Sequence, residues 1–305
     1  VRVEPTGKIT VTTPLVAAGQ GHLTTFAQVA ADAFGVPLDD VTILAGTTRN
    51  THGFGTVASR GAVFGAGTIG RAAEAVKVKI RRLAAHLLQT GVDQVTLSEG
   101  RVHLIGHPDK GMPLADLAGA AYFADATHPP DFDPALEATA AFDPADVVLA
   151  NGGHAAIVEI DIETCMVRVE KMFAVEDCGR MINPMIVEGQ IRGGVAQAIG
   201  MTLLEELVHD GEGQLVTTTL MDYLLPTSID VPDIKIAHLE KHIAQCDKKS
   251  LAAPTLADHP DLLPHFLEHV HSIPAVFFRR KLERPDTLVM LDGLDESPTP
   301  ETRLA

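Results

Sequence analysis

The most unusual chemical feature of this 305-residue sequence is an amide set among glycines. Between Glu176 and Asp210, Ile186, Val187, Ile191, Val195, Ile199, Leu203 and Leu207 recur at helical spacing. Asn183 followed by Pro184 supplies a side-chain cap and a first-turn proline. Gly189, Gly193, Gly194 and Gly200 lie inside that helix, each costing about 1 kcal/mol against alanine. Gly193, Gln197 and Gly200 follow i, i+4, i+7 spacing, so a group that both donates and accepts hydrogen bonds stands on a strip without bulk. Such a strip suits a flat ligand. A tight helix–sheet contact, with Gln197 bonding a loop, is the plainer alternative.

Two further stretches have the composition of binding loops. Lys8 to Thr13 alternates as a strand and runs into Gly19-Gln20-Gly21-His22, after which Phe26, Val29, Ala30, Ala33 and Phe34 mark a helix that Gly35 and Pro37 stop. Loop glycines let a ligand reach the backbone, and free N–H groups at the helix start favour phosphate-like oxygens. His22 could serve as ligand or base, but a histidine at a helix start more often bonds locally. A second strand, Val41 to Ala45, opens a non-periodic loop from Gly46 to Ala62 whose Ser59-Arg60 could pair with an anion or simply be solvated.

Other motifs carry less. Gly65-Ala66-Gly67-Thr68-Ile69-Gly70 matches a dinucleotide fingerprint but runs into the helical stripe Ile69, Ala72, Ala73, Val76, Ile80, Leu83 and Leu87, without the acidic residue that the fingerprint needs. Gly106 to Gly111 lacks the Lys-Ser/Thr of a phosphate loop. His265-Phe-Leu-Glu268-His269 fits a zinc-peptidase pattern, and His238 and His242 form a similar pair, but helically spaced histidines in a His-rich tail are usually solvent-facing. No metal ligand is assigned.

The formal charge of −16 and the lack of Lys/Arg clusters argue against nucleic acid, and no apolar run reaches the length of a membrane span. Three cysteines, Cys165, Cys178 and Cys246, form no disulfide framework, so a cytoplasmic setting is expected. The amino end is no signal peptide, and the chain reads as cut from something longer. Val95 to Gly106 predicts a hairpin turning at Glu99-Gly100, and Pro113 to Phe123 a short helix. His154 to Glu163, Met166 to Val175, Gln214 to Thr219 and Ile234 to Leu239 predict strands, and Asp210 to Gly213 a turn. The expected class is α+β (mixed α/β), with two long helices packed on mixed sheets.

GQGHLTTFAQ (Gly19 to Gln28), GFGTVASR (Gly53 to Arg60) and EDCGRMINPMIVEGQIRGGVAQAIGMTLLEEL (Glu176 to Leu207) together resemble the molybdopterin-binding large subunit of the molybdenum hydroxylases. This family includes xanthine dehydrogenase, aldehyde oxidase and aerobic carbon monoxide dehydrogenase. The resemblance covers the carboxy-terminal half of that subunit over residues 1–240, taken as one incomplete molybdopterin-binding domain. It implies a molybdopterin cytosine dinucleotide with molybdenum, held by its dithiolene sulfurs rather than by side chains. Carried onto this sequence, it places Gly19, Gln20 and Gly21 at the pterin or the metal's oxo group, Ala58, Ser59 and Arg60 at the pterin–phosphate portion, and Gln197, with Gly193 and Gly194, at the pterin edge.

The implied reaction is hydroxylation of an aldehyde, an N-heterocycle or carbon monoxide with oxygen from water. The implied partners are an FAD-binding medium subunit and an iron–sulfur small subunit, in a homodimer of heterotrimers acting on a small molecule. The departures are specific. The family's base is a glutamate in a Gly-Glu-Gly segment after the strand matched by Ile234 to Leu239, and none follows here, so no catalytic residue is assigned and the chain is expected to be inactive alone. Leu23 stands where glutamate is usual and Thr47 where aspartate is common. Residues 241–305 form a divergent tail, in which Thr287 to Leu291 and Asp292-Gly-Leu-Asp295-Glu296 resemble the magnesium-binding strand end of a NACHT-type triphosphatase. The alternative function is a non-catalytic interaction remnant fused to a triphosphatase-like tail.

Overall fold

The computed structural model describes residues 1–46, 52, 53, 55–144 and 150–239. Thr47, His242, Cys246, the His265–His269 motif, the carboxylates after Leu291 and the 241–305 tail lie outside them. The chain divides into two compact units, Val1–Val147 and Val148–Ala305. Each is a mixture of helices and sheets, as expected.

In the first unit, β1 (Arg2–Val3) pairs antiparallel with β2 (Ile9–Thr13), which pairs in parallel with β3 (Val41–Ala45). The connection from β2 to β3 contains α1 (His22–Phe34), closed at Gly35 in the left-handed conformation (φ 63°). The 27-residue helix α2 (Gly61–Leu87) packs on α1. The predicted stripe is buried at Ile69, Ala73, Val76, Ile80 and Leu83, and partly at Leu87. They share one core with Phe26, Phe34, Ile9 and Val11.

Gly65 and Gly67 prove to be packing residues of α2. A Cβ on Gly65 would lie 2.3 Å from Cζ of Phe26, and one on Gly67 would lie 2.4 Å from Cδ1 of Phe142. The strands β4 (Val95–Ser98) and β5 (Arg101–Leu104) form the predicted hairpin, with Glu99 and Gly100 both at positive φ as a two-residue turn requires. Its inner face is fixed by His103, whose Nε2 lies 2.8 Å from Ser98 Oγ and whose Nδ1 lies 2.9 Å from the Leu104 carbonyl. A third strand, β6 (His107–Pro113), was not expected from HPDKGMP, which contains proline and glycine and does not alternate. Gly111 explains how it fits: a Cβ there would lie 2.1 Å from the Val102 carbonyl of β5. The helix α3 (Leu114–Phe123) follows directly.

The Pro- and Asp-rich connection after α3 is held along α2 by cations. Lys79 Nζ donates to Asp133 Oδ2 (2.6 Å) and to the carbonyls of Ala135 (2.8 Å) and Glu137 (2.9 Å). Arg71 donates to the Ala141 carbonyl. Lys79→Met keeps the aliphatic stem and removes all three bonds. It is expected to lower unfolding free energy by about 1–2 kcal/mol, less than three charged hydrogen bonds would suggest because Asp133 is solvent-exposed. A urea midpoint equal to wild type would contradict this.

In the second unit, β7 (Asn151–Ile160) and β8 (Val167–Asp177) form an antiparallel pair, and β9 (Ile234–His238) adds in parallel to β8. Between β8 and β9 lies α4 (Pro184–Leu203), capped as predicted: Asn183 Oδ1 accepts from the Ile186 N–H at 3.2 Å. Val195 and Ile199 pack on Ile234. Two expectations are corrected. The helix ends at Leu203: the Glu205 N–H turns back five residues to the Gly200 carbonyl, which Leu204 already uses in the ordinary helical bond, and Leu207 is left exposed outside it. Gln214 to Thr219 is not a strand. Among the described residues, its strand pairing is confined to the Leu215 bridge to His209 and the Val216 N–H to the Val208 carbonyl, across the Asp210–Gly213 turn.

Candidate functional site

In the first unit, two loops lie at the starts of α1 and α2. The first carries Gly19 (φ 101°) and Gly21 (φ 71°), both in conformations open to glycine, and Gly19 has nothing within 4 Å of where a Cβ would stand. Gln20 is oriented by its own loop: its Oε1 accepts from the Ala18 N–H, which leaves the NH₂ as the group available to a ligand.

The second loop carries Ala58 and Ser59, both at φ 53°, followed by Arg60 at φ −101°, ψ −1°. Successive non-glycine residues in the left-handed region cost on the order of 1–3 kcal/mol each. A left-handed residue followed by a right-handed one turns consecutive N–H groups to the same side, a concavity suited to an anion. Here that concavity leads straight into the first turn of α2. Neither α1 nor α2 has a side-chain cap or an acidic residue in its first turn, whereas α4 is capped by Asn183. The free N–H groups and positive helix ends of α1 and α2 are therefore unopposed by a local carboxylate. The Arg60 guanidinium lies 5.0 Å over the Phe64 ring, which keeps the cation beside the helix start.

The two loops touch through one carbonyl. Thr56 Oγ1 donates to the Val16 oxygen at 2.6 Å. His22 is 5% exposed, stacks on Phe26 (centroids 4.8 Å apart, 17° between planes), and meets Gly61, where a Cβ would lie 2.7 Å from its Cε1. Its Nδ1 is buried without a partner. The ring is buried and packed, in keeping with a structural histidine, and no local hydrogen bond of its Nδ1 is found among the described residues.

Burial pushes the His22 pKa below its usual 6.5, opposed by the Val16 carbonyl. The unfolded chain therefore binds the proton more tightly than the folded one. The resulting stability is fully present above about pH 6.5 and is lost as pH falls towards the folded value. We expect the difference in urea midpoint between wild type and His22→Phe to shift against wild type between about pH 7.5 and pH 5.5. An unchanged difference would contradict it.

In the second unit, Gly193, Gly194 and Gln197 are exposed on α4, and nothing stands within 4 Å of a Cβ at Gly189, Gly193 or Gly194. The helix–sheet contact offered as the plainer explanation of these glycines is thus not made by them among the described residues. Gly200 differs: a Cβ there would lie 2.8 Å from Pro226 Cδ and against Glu205 Oε1. The bare strip is therefore closed at Gly200 and open around Gln197. Glu205 is itself held by the Tyr223 hydroxyl at 2.5 Å.

A model of the molybdopterin cofactor-binding domain matches residues 1–232. The chain belongs to that family. Among the relatives of this molybdopterin cofactor-binding domain, the nicotine 6-hydroxylase large subunit of Paenarthrobacter nicotinovorans is 45% identical over 241 residues, covering 79% of this chain and 30% of that one. The carbon monoxide dehydrogenase large chain of Afipia carboxidovorans is 34% identical over 233 residues, covering 76% and 28%. The crystal structure of quinoline 2-oxidoreductase from Pseudomonas putida 86 superimposes with a TM-score of 0.75 at 66% identity, covering 78% of this chain and 30% of that one. The chain thus spans about 30% of the length of the curated relatives it matches. These are oxidoreductase large subunits of the molybdenum hydroxylase family, and the resemblance drawn from the three motifs holds.

The residues present fit such a cofactor. The first unit offers two uncapped helix starts and a left-handed loop that turns N–H groups together, suited to a diphosphate; the second, taken by itself, offers an exposed amide on a bare helix face, suited to a flat ring system. Among the described residues, no group of three or more His, Cys, Asp or Glu is placed to hold a metal ion, and no helix is long and apolar enough to cross a membrane. Glu212, between Gly211 and Gly213, sits in an exposed turn where the Asp210 carboxylate accepts its N–H.

Proposed function

We propose that this chain is the dinucleotide-holding part of a molybdenum hydroxylase large subunit whose substrate is an N-heteroaromatic compound. The observation that carries the cofactor half is the Ala58-Ser59 pair in strained left-handed geometry at the uncapped start of α2. The substrate half is supported by two relatives, at 66% and 45% identity, named for quinoline and nicotine, against 34% for the one named for carbon monoxide.

In this reading the N–H groups of Ser59, Gly61 and Ala62 and of the α1 start bind the diphosphate of a molybdopterin cytosine dinucleotide. The Gln20 NH₂ donates to an oxygen at the metal end. Gln197 pairs with the pterin edge, and Gly193 and Gly194 leave room for the ring. When bound, the cofactor supplies transfer of a water-derived oxygen to an electron-poor carbon and carries the electrons away. The chain's residues bind and orient. No glutamate of the expected kind follows Ile234–His238, so this polypeptide by itself is not expected to turn over. Relatives named as large subunits or large chains support partner subunits. We assign these as an FAD-binding medium subunit and an iron–sulfur small subunit, in a homodimer of heterotrimers working in the cytoplasm.

A chimera tests this. Residues 1–239 replace the matched segment of the Pseudomonas putida 86 enzyme, with its other parts unchanged. Molybdenum retention and quinoline hydroxylation with label from ¹⁸O-water are expected. A folded, assembled chimera that holds no molybdenum would refute the cofactor half, and one that holds molybdenum but does not oxidise quinoline or nicotine would refute the substrate half.

A further inference from the structure

We infer that Phe142 is a positioning residue for the anion site at the start of α2: seated in the notch that Gly67 leaves, it holds the Phe64 ring, and Phe64 in turn carries the Arg60 guanidinium. That the anion is a diphosphate rests on the reading above, whereas the row of contacts from Phe142 to Arg60 is a property of the apo chain.

Helical spacing lays out the row. Arg60, Phe64, Gly67 and Arg71 follow one another at i, i+4, i+7 and i+11, which puts them on one side of α2. The Arg60 guanidinium lies 5.0 Å from the Phe64 ring centroid, and the Arg71 guanidinium lies 4.8 Å from that of Phe142. Between the two cations the rings meet edge to face, with centroids 6.4 Å apart and 83° between planes. Cations over ring faces and rings set edge to face are the arrangements that the ring quadrupole favours.

Phe142 joins this row from outside the helix. It belongs to the connection after α3, and Arg71 fastens it twice, with the guanidinium over the ring and with a 3.0 Å bond from Nη1 to the Ala141 carbonyl. The ring has space because residue 67 is glycine: a Cβ there would lie 2.4 Å from Cδ1 and 2.5 Å from Cγ of Phe142.

The contact does more than anchor the connection, which Lys79 already anchors through Asp133, Ala135 and Glu137. A leucine at position 142 would fill the notch, but it has no quadrupole to set the plane of Phe64 or to attract Arg71. Phe64 is only partly buried, so its plane depends on the ring beside it. With Phe64 held, the Arg60 cation stays at the uncapped start of α2, where an anionic oxygen would meet both the cation and the free N–H groups.

The test uses the whole 305-residue chain and the variants Phe142→Leu, Phe142→Tyr, Arg60→Gln and the double variant Arg60→Gln/Phe142→Leu. In pterin-free protein the δ-methylene protons of Arg60 are followed by NMR, assigned as the arginine resonances that Arg60→Gln removes. The Phe64 ring beneath the guanidinium moves them upfield. Phe142→Leu is expected to abolish most of that displacement and Phe142→Tyr to keep it. An unchanged displacement in Phe142→Leu, or its loss in Phe142→Tyr, overturns the positioning role.

Affinity for inorganic pyrophosphate, read by calorimetry, gives the second measurement. Phe142→Leu is expected to weaken it roughly three- to tenfold, the effect of one aromatic pair, with Phe142→Tyr at the wild-type value and the double variant no weaker than Arg60→Gln alone. An equal loss on adding Phe142→Leu to Arg60→Gln would mean that Phe142 acts on the fold rather than through Arg60, and overturns the inference. A wild type that retains pterin from a cofactor-producing host yet binds no pyrophosphate overturns the positioning role and leaves the cofactor reading standing. A wild type that does neither overturns both.

Discussion

Gly193→Leu is expected to leave the chain at least as stable as wild type and to abolish its retention of a pterin dinucleotide. Leucine is favoured over glycine in a helix interior by just under about 1 kcal/mol, and among the described residues nothing lies within 4 Å of where its Cβ would stand, so no clash with them offsets the gain. A ligand seated on the strip beside Gln197 would meet a four-carbon side chain instead of open space. Overpacking of this kind costs about 1–3 kcal/mol, which at the upper end weakens binding about a hundredfold. Thermal melting and pterin content measured on the same preparations separate the two effects. A variant that melts no lower and still carries pterin would mean that the strip is bare for another reason.

The second large effect concerns the fingerprint-like glycines of α2. Gly65→Leu is expected to destabilise the first unit by about 3 kcal/mol or more, because its Cβ would enter the ring of fully buried Phe26 and approach Leu15 Cδ1 at 3.1 Å. Gly70→Ala, with nothing within 4 Å, is expected to stabilise by about 0.5–1 kcal/mol. If these glycines cradled a dinucleotide, the two substitutions would instead share a loss of binding with little difference in stability. Equal urea midpoints for the two variants would refute the packing account.

These glycines also show how much of the molecule is legible in its sequence. The stripe from Ile69 to Leu87 identifies α2 because burial on one face imposes the 3.6-residue period, and Asn183-Pro184 and Glu99-Gly100 mark local geometries that few residues satisfy. β6 was not legible, since its place depends on Gly111 fitting against Val102, a contact between strands that no local pattern encodes. The end of α4 was misjudged by a turn, because Leu207 continues the apolar spacing while Pro226, far along the chain, closes over Gly200.

At the site, Gln197 stands out because glycine in a helix is locally unfavourable and therefore visible. Ala58 and Ser59 give no such signal: nothing in the residue types announces a left-handed pair, and only the motif resemblance pointed there.

The central claim, that this chain holds a molybdopterin dinucleotide, is tested most directly by the content of the full chain purified from a host that makes the cytosine form. Molybdenum, oxidised pterin fluorescence and CMP released by hydrolysis are quantified against protein. The account predicts all three in equal molar amounts, and their joint loss in Gly193→Leu. A folded wild-type chain with neither pterin nor CMP would contradict it.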